Sequence, residues 1–506
     1  MIGIAAAVAA FVLHVATASR YGYFRDELYF IACSKHLAWG YVDQPPLVAI
    51  AAFFSAPFHY DLVVLRMLPI VCASITVLVA VQIAKDLGGG RFAQLFCAVA
   101  VALTPAYLLL GNTLTTTSFE GLSWTLVTWC AIHIVRRGER SGAWWSGLAA
   151  AVAFGAYGKY SMGLLVVALL IGLLATPQRR VLRSWWTVLA GAIVCALVSP
   201  NLLWQAQHGW PFLEVLQGDA AHRHAFNTGL TLEYRAFFPN AVAFAGEQFL
   251  YTNPIAAPVW IAGLVLPFAS RELRAMRFIT VAYIALFAIA VALEAKGYYV
   301  IGIYASLFAL GAVALERAAA FRRAALAVVA AVAIFTMPLS LPVLPLHDFI
   351  SYTQMLGMTG KGGEPARLIQ PVYAEEFGWN RLARDVSQFY NSLAPGTRGL
   401  TAIYADTYAD AGAIDLFGPQ YGLPAAISSQ NSYWLWGTRG YDGNTMIAIG
   451  ASRIDVLKRY YRHVTLITTS NEPLKWAVEG PSPIYLCTDP IMPLDQMWPH
   501  LRWYGA

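Results

Sequence analysis

Three carboxylates stand close together near the start of the chain: Asp26 and Glu27 in RDELYF, and Asp43 in GYVDQPPL, 17 residues after Asp26. A carboxylate costs several kcal/mol when it is desolvated without a partner, so three of them between strongly apolar segments predict a wet site with a task. One task is to take a proton from a hydroxyl, which needs hydrogen-bond reach and a pKa brought toward the working pH by partial desolvation. The same carboxylates could instead hold a divalent cation through oxygen ligands. The plainer reading is that Asp26-Glu27 only caps the first turn of a helix beside the membrane. Tyr21, Tyr23, Phe24, Tyr29, Phe30, Trp39 and Tyr41 surround the three, and such amphipathic rings suit the headgroup level.

A second set is basic: Arg25, Arg66, Lys159, Arg223, Arg235 and Lys296. Lys159 in AYGKYS and Lys296 in EAKGYY stand at the ends of apolar segments, where a phosphate would compensate the charge. Snorkelling to the interface would also explain them. Arg66 has apolar residues on both sides and fits snorkelling less well; a buried acid could pair with it. Arg25, Arg66, Lys159 and Lys296 are the candidate phosphate contacts. Glu120, Tyr298, Tyr299, His222 and Trp434 are the candidate acceptor or sugar contacts. His222-Arg223-His224 also reads as an exposed polar turn.

The elements that must position these residues lie in a chain of 506 residues with 58% hydrophobic and 12% charged residues and a mean hydropathy of +0.54. Soluble chains carry roughly 25% charged residues, so this is an integral membrane protein. Taking about 20 apolar residues per span, eleven segments qualify: 2–19, 62–84, 93–111, 119–135, 144–158, 161–176, 186–204, 252–270, 278–294, 298–315 and 324–344. The fifth and sixth are short and meet at Lys159, so they also read as a re-entrant or broken pair.

Lys85 and Arg91; Arg136, Arg137 and Arg140; Arg179, Arg180 and Arg183; Arg271, Arg274 and Arg277; and Arg317, Arg322 and Arg323 occupy every second connection. The positive-inside rule places these loops in the cytoplasm. The net charge of +6 therefore sets topology and gives no reason to expect nucleic acid. Loops 20–60 and 205–251, the turns at Lys159 and Lys296, and everything after 345 are then outside. Both long loops have room for short interfacial helices. Of the six cysteines, Cys33 and Cys487 fall outside the spans; no spacing suggests a metal site.

Residues 1–344 thus read as a transmembrane domain and 345–506 as a soluble extracytoplasmic α/β domain. LTAIYA at 400–405, TMIAIG at 445–450 and VTLITT at 464–469 look like buried strands, and GPQYGLP and GTRGYDGN like turns. Asn431, Tyr433, Trp434 and Trp436 could stack on sugar or pack the domain against the bundle.

These pieces fit a reaction in which a lipid phosphate leaves a sugar: a lysine neutralises the departing charge, so no metal is required, and a carboxylate activates an acceptor hydroxyl. At this point the chain resembles a known family. One span, an outer loop with DELYF and GYVDQPPL, and ten further spans are similar to the GT-C membrane glycosyltransferases, most of all to glycosyltransferase family 39, which includes protein O-mannosyltransferases and lipid A aminoarabinose transferases. GKYSMGLLV (158–166), SPNLLWQAQHGWPFLE (199–214) and KGYYVIGIYASLFALGA (296–312) match as well, and 408–437 resembles the tail of bacterial members.

The resemblance implies a helical bundle in the cytoplasmic membrane, a polyprenyl-phosphate monosaccharide donor used with inversion, Asp26 as general base, Asp43 as the second acid, and Lys159 and Lys296 at the donor phosphate. The acceptor would be a hydroxyl on protein, lipid or polysaccharide. One departure stands out: many members carry an Asp at the head of the fourth span, where this chain reads NTLTTTSFEG, and Glu120 is the nearest carboxylate. Two other classes fit the sequence less well. A secondary transporter would place ionisable groups near the bilayer midplane, whereas here they collect at one face; a polymer-binding scaffold would not need eleven spans.

Overall fold

The computed structural model describes residues 1–138, 142–226, 234–317, 321–358, 371–450, 454–472, 474 and 481–505, without the side chains of 219–226, 234–239, 317, 371 and 372. Within them, each of the eleven apolar segments forms a helix or a broken pair of helices. By length and composition, five cross a membrane: Met67–Asp86, Trp185–Gln207, Arg274–Ala292, Gly297–Glu316 and Arg322–Leu339. Three bent pairs bring the number to eight, namely Arg91–Ala102 with Pro105–Gly111 (61°), Met162–Leu174 with Pro177–Arg183 (115°) and Asn240–Thr252 with Pro254–Ala269 (97°). The expected eleven exceeds this because Ile2–Thr17 and Gly142–Gly158 are short, with 16 and 17 residues, and Glu120–Arg137 carries three charged residues. Proline opens the second helix of each pair, where its missing N–H costs nothing and the residue before it resists the helical conformation.

Without water to drive helices together in lipid, close backbone approach supplies the packing. A Cβ on Gly311 would stand 1.8 Å from Val259 O and one on Gly263 2.2 Å from Leu307 O, so these two helices touch at backbone distance.

The C-terminal part holds a five-stranded sheet in the order β2-β1-β3-β5-β4. Strand β1 (Ala402–Ala405) runs parallel to β2 (Ile427–Ser428) and β3 (Thr445–Ile449), while β5 (Ser482–Pro490) runs antiparallel to β3 and to β4 (Tyr461–Ser470). The stretch read as a buried strand at 464–469 is an edge strand with mostly exposed side chains. All six cysteines are free thiols.

Two devices join this part to the bundle. The first is the helix Arg25–Ser34, which is apolar on every side after its first turn (LYFIACS) and therefore buried rather than interfacial: eight of its ten residues are inaccessible. The helix Tyr408–Phe417 lies on it so closely that a Cβ on Gly412 would meet Leu28 O at 2.8 Å. Leu28, Phe30, Tyr408 and Ile414 share one contiguous apolar core with the bundle. The helix Leu47–Ser55, by contrast, leaves Phe53 and Phe54 exposed as an interfacial helix should.

The second device is a buried ion cluster, and it corrects two expectations. Glu27, expected in catalysis, and Arg66, expected at a phosphate, are fully buried against each other, with Nε to Oε1 and Nη2 to Oε2 both at 2.8 Å. Glu27 also accepts from Phe24 N and Leu114 N, each at 2.9 Å, and Arg66 donates to Ala18 O (2.6 Å) and Gly22 O (2.9 Å). Neither has capacity left for a substrate; together they staple the loop to the bundle. Glu376 of the C-terminal part approaches Arg66 at 3.6 Å, and burial pushes its carboxyl up to about 8.

Gly412→Val should wedge the two helices apart and destabilise the protein by about 1–3 kcal/mol, read as a lower melting temperature; an unchanged melt would contradict the contact. Glu376 binds its proton more tightly folded than unfolded, so its stabilising contribution is full below about pH 4.5 and is lost as pH rises through about 8. Glu376→Gln should therefore melt as wild type near pH 4 and several degrees higher near pH 9, and the opposite slope would refute the burial argument.

Candidate active site

Helix Arg25–Ser34 begins with Glu27 folded back onto Phe24 N, as an acid at the third helical position does in a capping box. One residue earlier, about 100° around the helix, Asp26 faces the other way. Its side chain is 31% exposed, against none for Glu27. Asp26 Oδ1 accepts from Tyr408 Oη at 2.8 Å, and Arg25 Nε lies 3.8 Å from the same oxygen. Arg25 itself reaches Glu375 at 3.5 Å and lies 5.3 Å from the Tyr408 ring centre, so it is drawn toward the C-terminal part.

Asp43 comes to the same place from the other end of the loop. The extended GYVDQPP stretch is hung on helix Trp185–Gln207: Asn201 Nδ2 donates to Trp39 O (2.8 Å), and Gln205 Nε2 donates to Tyr41 O (2.9 Å) and to Tyr160 Oη (3.0 Å). Asp43 Oδ1 accepts from Tyr29 Oη at 2.9 Å. Desolvation pushes its carboxyl up to about 7; the Tyr29 bond opposes the rise, and the Asp26 charge adds to it. Tyr29 and Tyr408 are stacked with centroids 4.7 Å apart, so the two acids flank one aromatic pair.

The third component lies at the ends of the apolar helices. Lys159 Nζ donates to Thr117 Oγ1 (2.7 Å), stands 3.8 Å from Glu120 Oε1, and sits over the rings of Tyr299 (4.0 Å) and Tyr298 (5.0 Å). A lysine held by two aromatic faces is stabilised without losing its charge. Glu120 is buried; its Oε1 accepts from Ser161, while its Oε2 has no hydrogen-bond partner among the described residues. The exposed Lys296 is close enough for its charge to act on Lys159, and the charges of Asp26 and Glu120 both reach Tyr298. Lys159, Glu120 and the tyrosine pair therefore form one cluster, with Lys296 and Asp26 near enough for their charges to act on it. The arrangement can accept a proton at Asp26 and neutralise an anion at Lys159.

Other expected residues are elsewhere. Trp434 and Trp498 exchange indole-to-carbonyl hydrogen bonds (3.1 and 3.0 Å), Tyr433 donates to Asp415, and Trp436 stacks on His36 at 4.4 Å, so this aromatic set packs the C-terminal part together and onto the first loop. The side chains of His222, Arg223, His224 and Arg235 lie outside the described residues. Among the described residues, no three His, Cys, Asp or Glu side chains gather as a metal site. Residues absent from the sequence reading are Tyr408, Thr117 and Ser161 as site contacts and Ser432, whose N–H donates to Tyr29 Oη at 3.1 Å. The aromatic content of YADAGAIDLF and the hydroxyls of NTLTTTSFEG hint at Tyr408 and Thr117; nothing local marks Ser161 or Ser432.

Residues 43–204 match the family model described as dolichyl-phosphate-mannose-protein mannosyltransferase. No curated protein matches the sequence. Among solved structures, ArnT from Cupriavidus metallidurans bound to undecaprenyl phosphate superposes with a TM-score of 0.60 at 13% identity, covering 96% of this chain and 97% of ArnT. Its apo state gives 0.58 at 14% identity over the same shares. The chain thus shares its fold with these GT-C membrane proteins over 96% of its length, and residues 43–204 are similar to the dolichyl-phosphate-mannose-protein mannosyltransferase family model.

Proposed function

We propose that the chain transfers a monosaccharide from a polyprenyl-phosphate donor to a hydroxyl acceptor at the outer face of the cytoplasmic membrane. The observation that carries this reading is the pairing of a partly exposed, oriented carboxylate, Asp26, with the tyrosine-caged Lys159 across a region bordered by Tyr298. The undecaprenyl phosphate bound by ArnT, on the same fold, supports a lipid-phosphate donor here.

In this scheme the acceptor O–H proton passes to Asp26 as the oxygen attacks the anomeric carbon. The bond from that carbon to the phosphate oxygen breaks, and polyprenyl phosphate leaves. Attack opposite the leaving group inverts the anomeric centre. Lys159, with Lys296 beyond it, stabilises the charge that grows on the departing phosphate, which is the step where a preorganised cation contributes most. Glu120, whose Oε1 stands 3.8 Å from Lys159, has in Oε2 an acceptor without a partner among the described residues, which could take a sugar hydroxyl. Desolvation raises the Asp43 carboxyl to about 7, which separates its environment from that of Asp26, the acid oriented by Tyr408 and assigned here as base. The apolar helices give the prenyl tail a berth, and the outer-face assignment follows from the basic loops on the other side.

Purified protein should release or transfer labelled sugar from one member of a panel of polyprenyl-phosphate monosaccharides. Asp26→Asn should lower kcat by about a hundredfold or more, the range general-base catalysis supplies, at an unchanged melting temperature. Lys159→Met should also reduce turnover, and should weaken binding of the bare polyprenyl phosphate. Turnover by Asp26→Asn within about threefold of wild type would sink the assignment of the base.

A further inference from the structure

Both carboxylates of the site are oriented by the C-terminal part of the chain. Tyr408, 382 residues beyond Asp26, sends its hydroxyl to Asp26 Oδ1. Its position is fixed from several directions. Tyr408 N donates to Gln430 Oε1 (2.7 Å), whose Nε2 donates to Gly505 O (3.0 Å); the preceding Thr407 caps the helix through Asp410 N (3.1 Å); and the Tyr408 ring lies stacked on Tyr29. Asp43 is reached through the same surface, since Ser432 N donates to Tyr29 Oη (3.1 Å) and Val42 N donates to Ser432 Oγ (3.1 Å).

A phenol that does no more than pack would not need its oxygen on a carboxylate that is itself partly exposed. The Tyr408 bond and the Arg25 approach both engage Oδ1, which leaves Oδ2 as the oxygen to receive a proton. A hydrogen bond donated to a carboxylate favours its charged form and fixes its rotamer. Both are what a general base requires, and a misplacement of about 1 Å can cost a hundredfold in rate.

From this we infer that the C-terminal domain completes the active centre, with Tyr408 as the positioning residue that fixes the Asp26 carboxylate and aims its other oxygen at the acceptor. The inference rests on the transferase reading for its kinetic part only; the hydrogen bond can be read without any substrate.

The test is therefore double. In detergent-solubilised full-length protein, infrared difference titration with Asp26→Asn as the blank isolates the Asp26 carboxyl. Tyr408→Phe, which keeps the stacked ring, should move that titration upward by about half to one pH unit. In turnover, kcat should fall roughly ten- to a hundredfold with donor KM within about twofold, and the rising limb of the pH–rate profile should shift upward, so that alkaline pH partly rescues the variant. Replacing Tyr408 by 3-fluorotyrosine, a stronger donor of nearly the same shape, should shift both titration and limb downward, and it reads the same bond if Tyr408→Phe fails to fold. Opposite shifts in the two variants support the assignment. A titration and limb unmoved by either, or a Tyr408→Phe variant with wild-type kcat, overturn it. If the titration moves while wild type uses no lipid-linked donor, the positioning of Asp26 stands and the transferase reading falls.

Discussion

The buried pair of Glu27 and Arg66 is the constraint on which the rest of the structure depends. An ion pair removed from water repays its desolvation only if its remaining hydrogen-bonding capacity is also met. Here that capacity is spent on backbone: Phe24 and Leu114 donate to Glu27, while Ala18 and Gly22 accept from Arg66. One interaction thus ties together the end of the first helix, the start of the first-loop helix, the head of Met67–Asp86 and the turn before Glu120. Removing either partner would leave a bare buried charge, at a cost of about 3–5 kcal/mol. Glu376 can enter the same cluster only because its raised pKa lets it remain protonated, so the C-terminal part adds no second uncompensated charge.

With the loop fixed, neighbouring residues take different work. The helix turn directs Glu27 inward and Asp26 toward the cleft, so one acid stabilises and the other stays available. Asp43 completes the division: it arrives on an extended segment hung from Asn201 and Gln205, and desolvation favours its neutral form. Lys159 is held by two tyrosine rings, the Thr117 hydroxyl and the Glu120 carboxylate at 3.8 Å, a looser pairing than the 2.8 Å contacts of Glu27 with Arg66.

The apolar segments, the strands β1 and β3 and the crowding of charge in the first loop were legible because each is a local pattern: hydropathy over about 20 residues, short β-branched or apolar runs between turns, carboxylates where none is cheap. Asp26 and Glu27 could not be told apart, since adjacent acids differ only once the helix start is known. Arg66 read as a phosphate contact because its partner lies 39 residues away and two turns of loop must fold to bring them together. Tyr408 was out of reach for the same reason on a larger scale. The expected eleven spans exceed the eight that length and composition alone support where helices are short or charged, as in Ile2–Thr17 and Glu120–Arg137.

The account's central claim is that a lipid-linked phosphate docks against Lys159 on the side of the cleft facing Asp26. A structure of the protein in lipid nanodiscs with undecaprenyl phosphate tests it directly. The account predicts phosphate density within hydrogen-bond reach of Lys159 Nζ, below the first-loop helix, with the tail leaving between the apolar helices. Phosphate seated among the basic loops at the other face, with Lys159 still held by Thr117, Glu120 and the tyrosines, would contradict it.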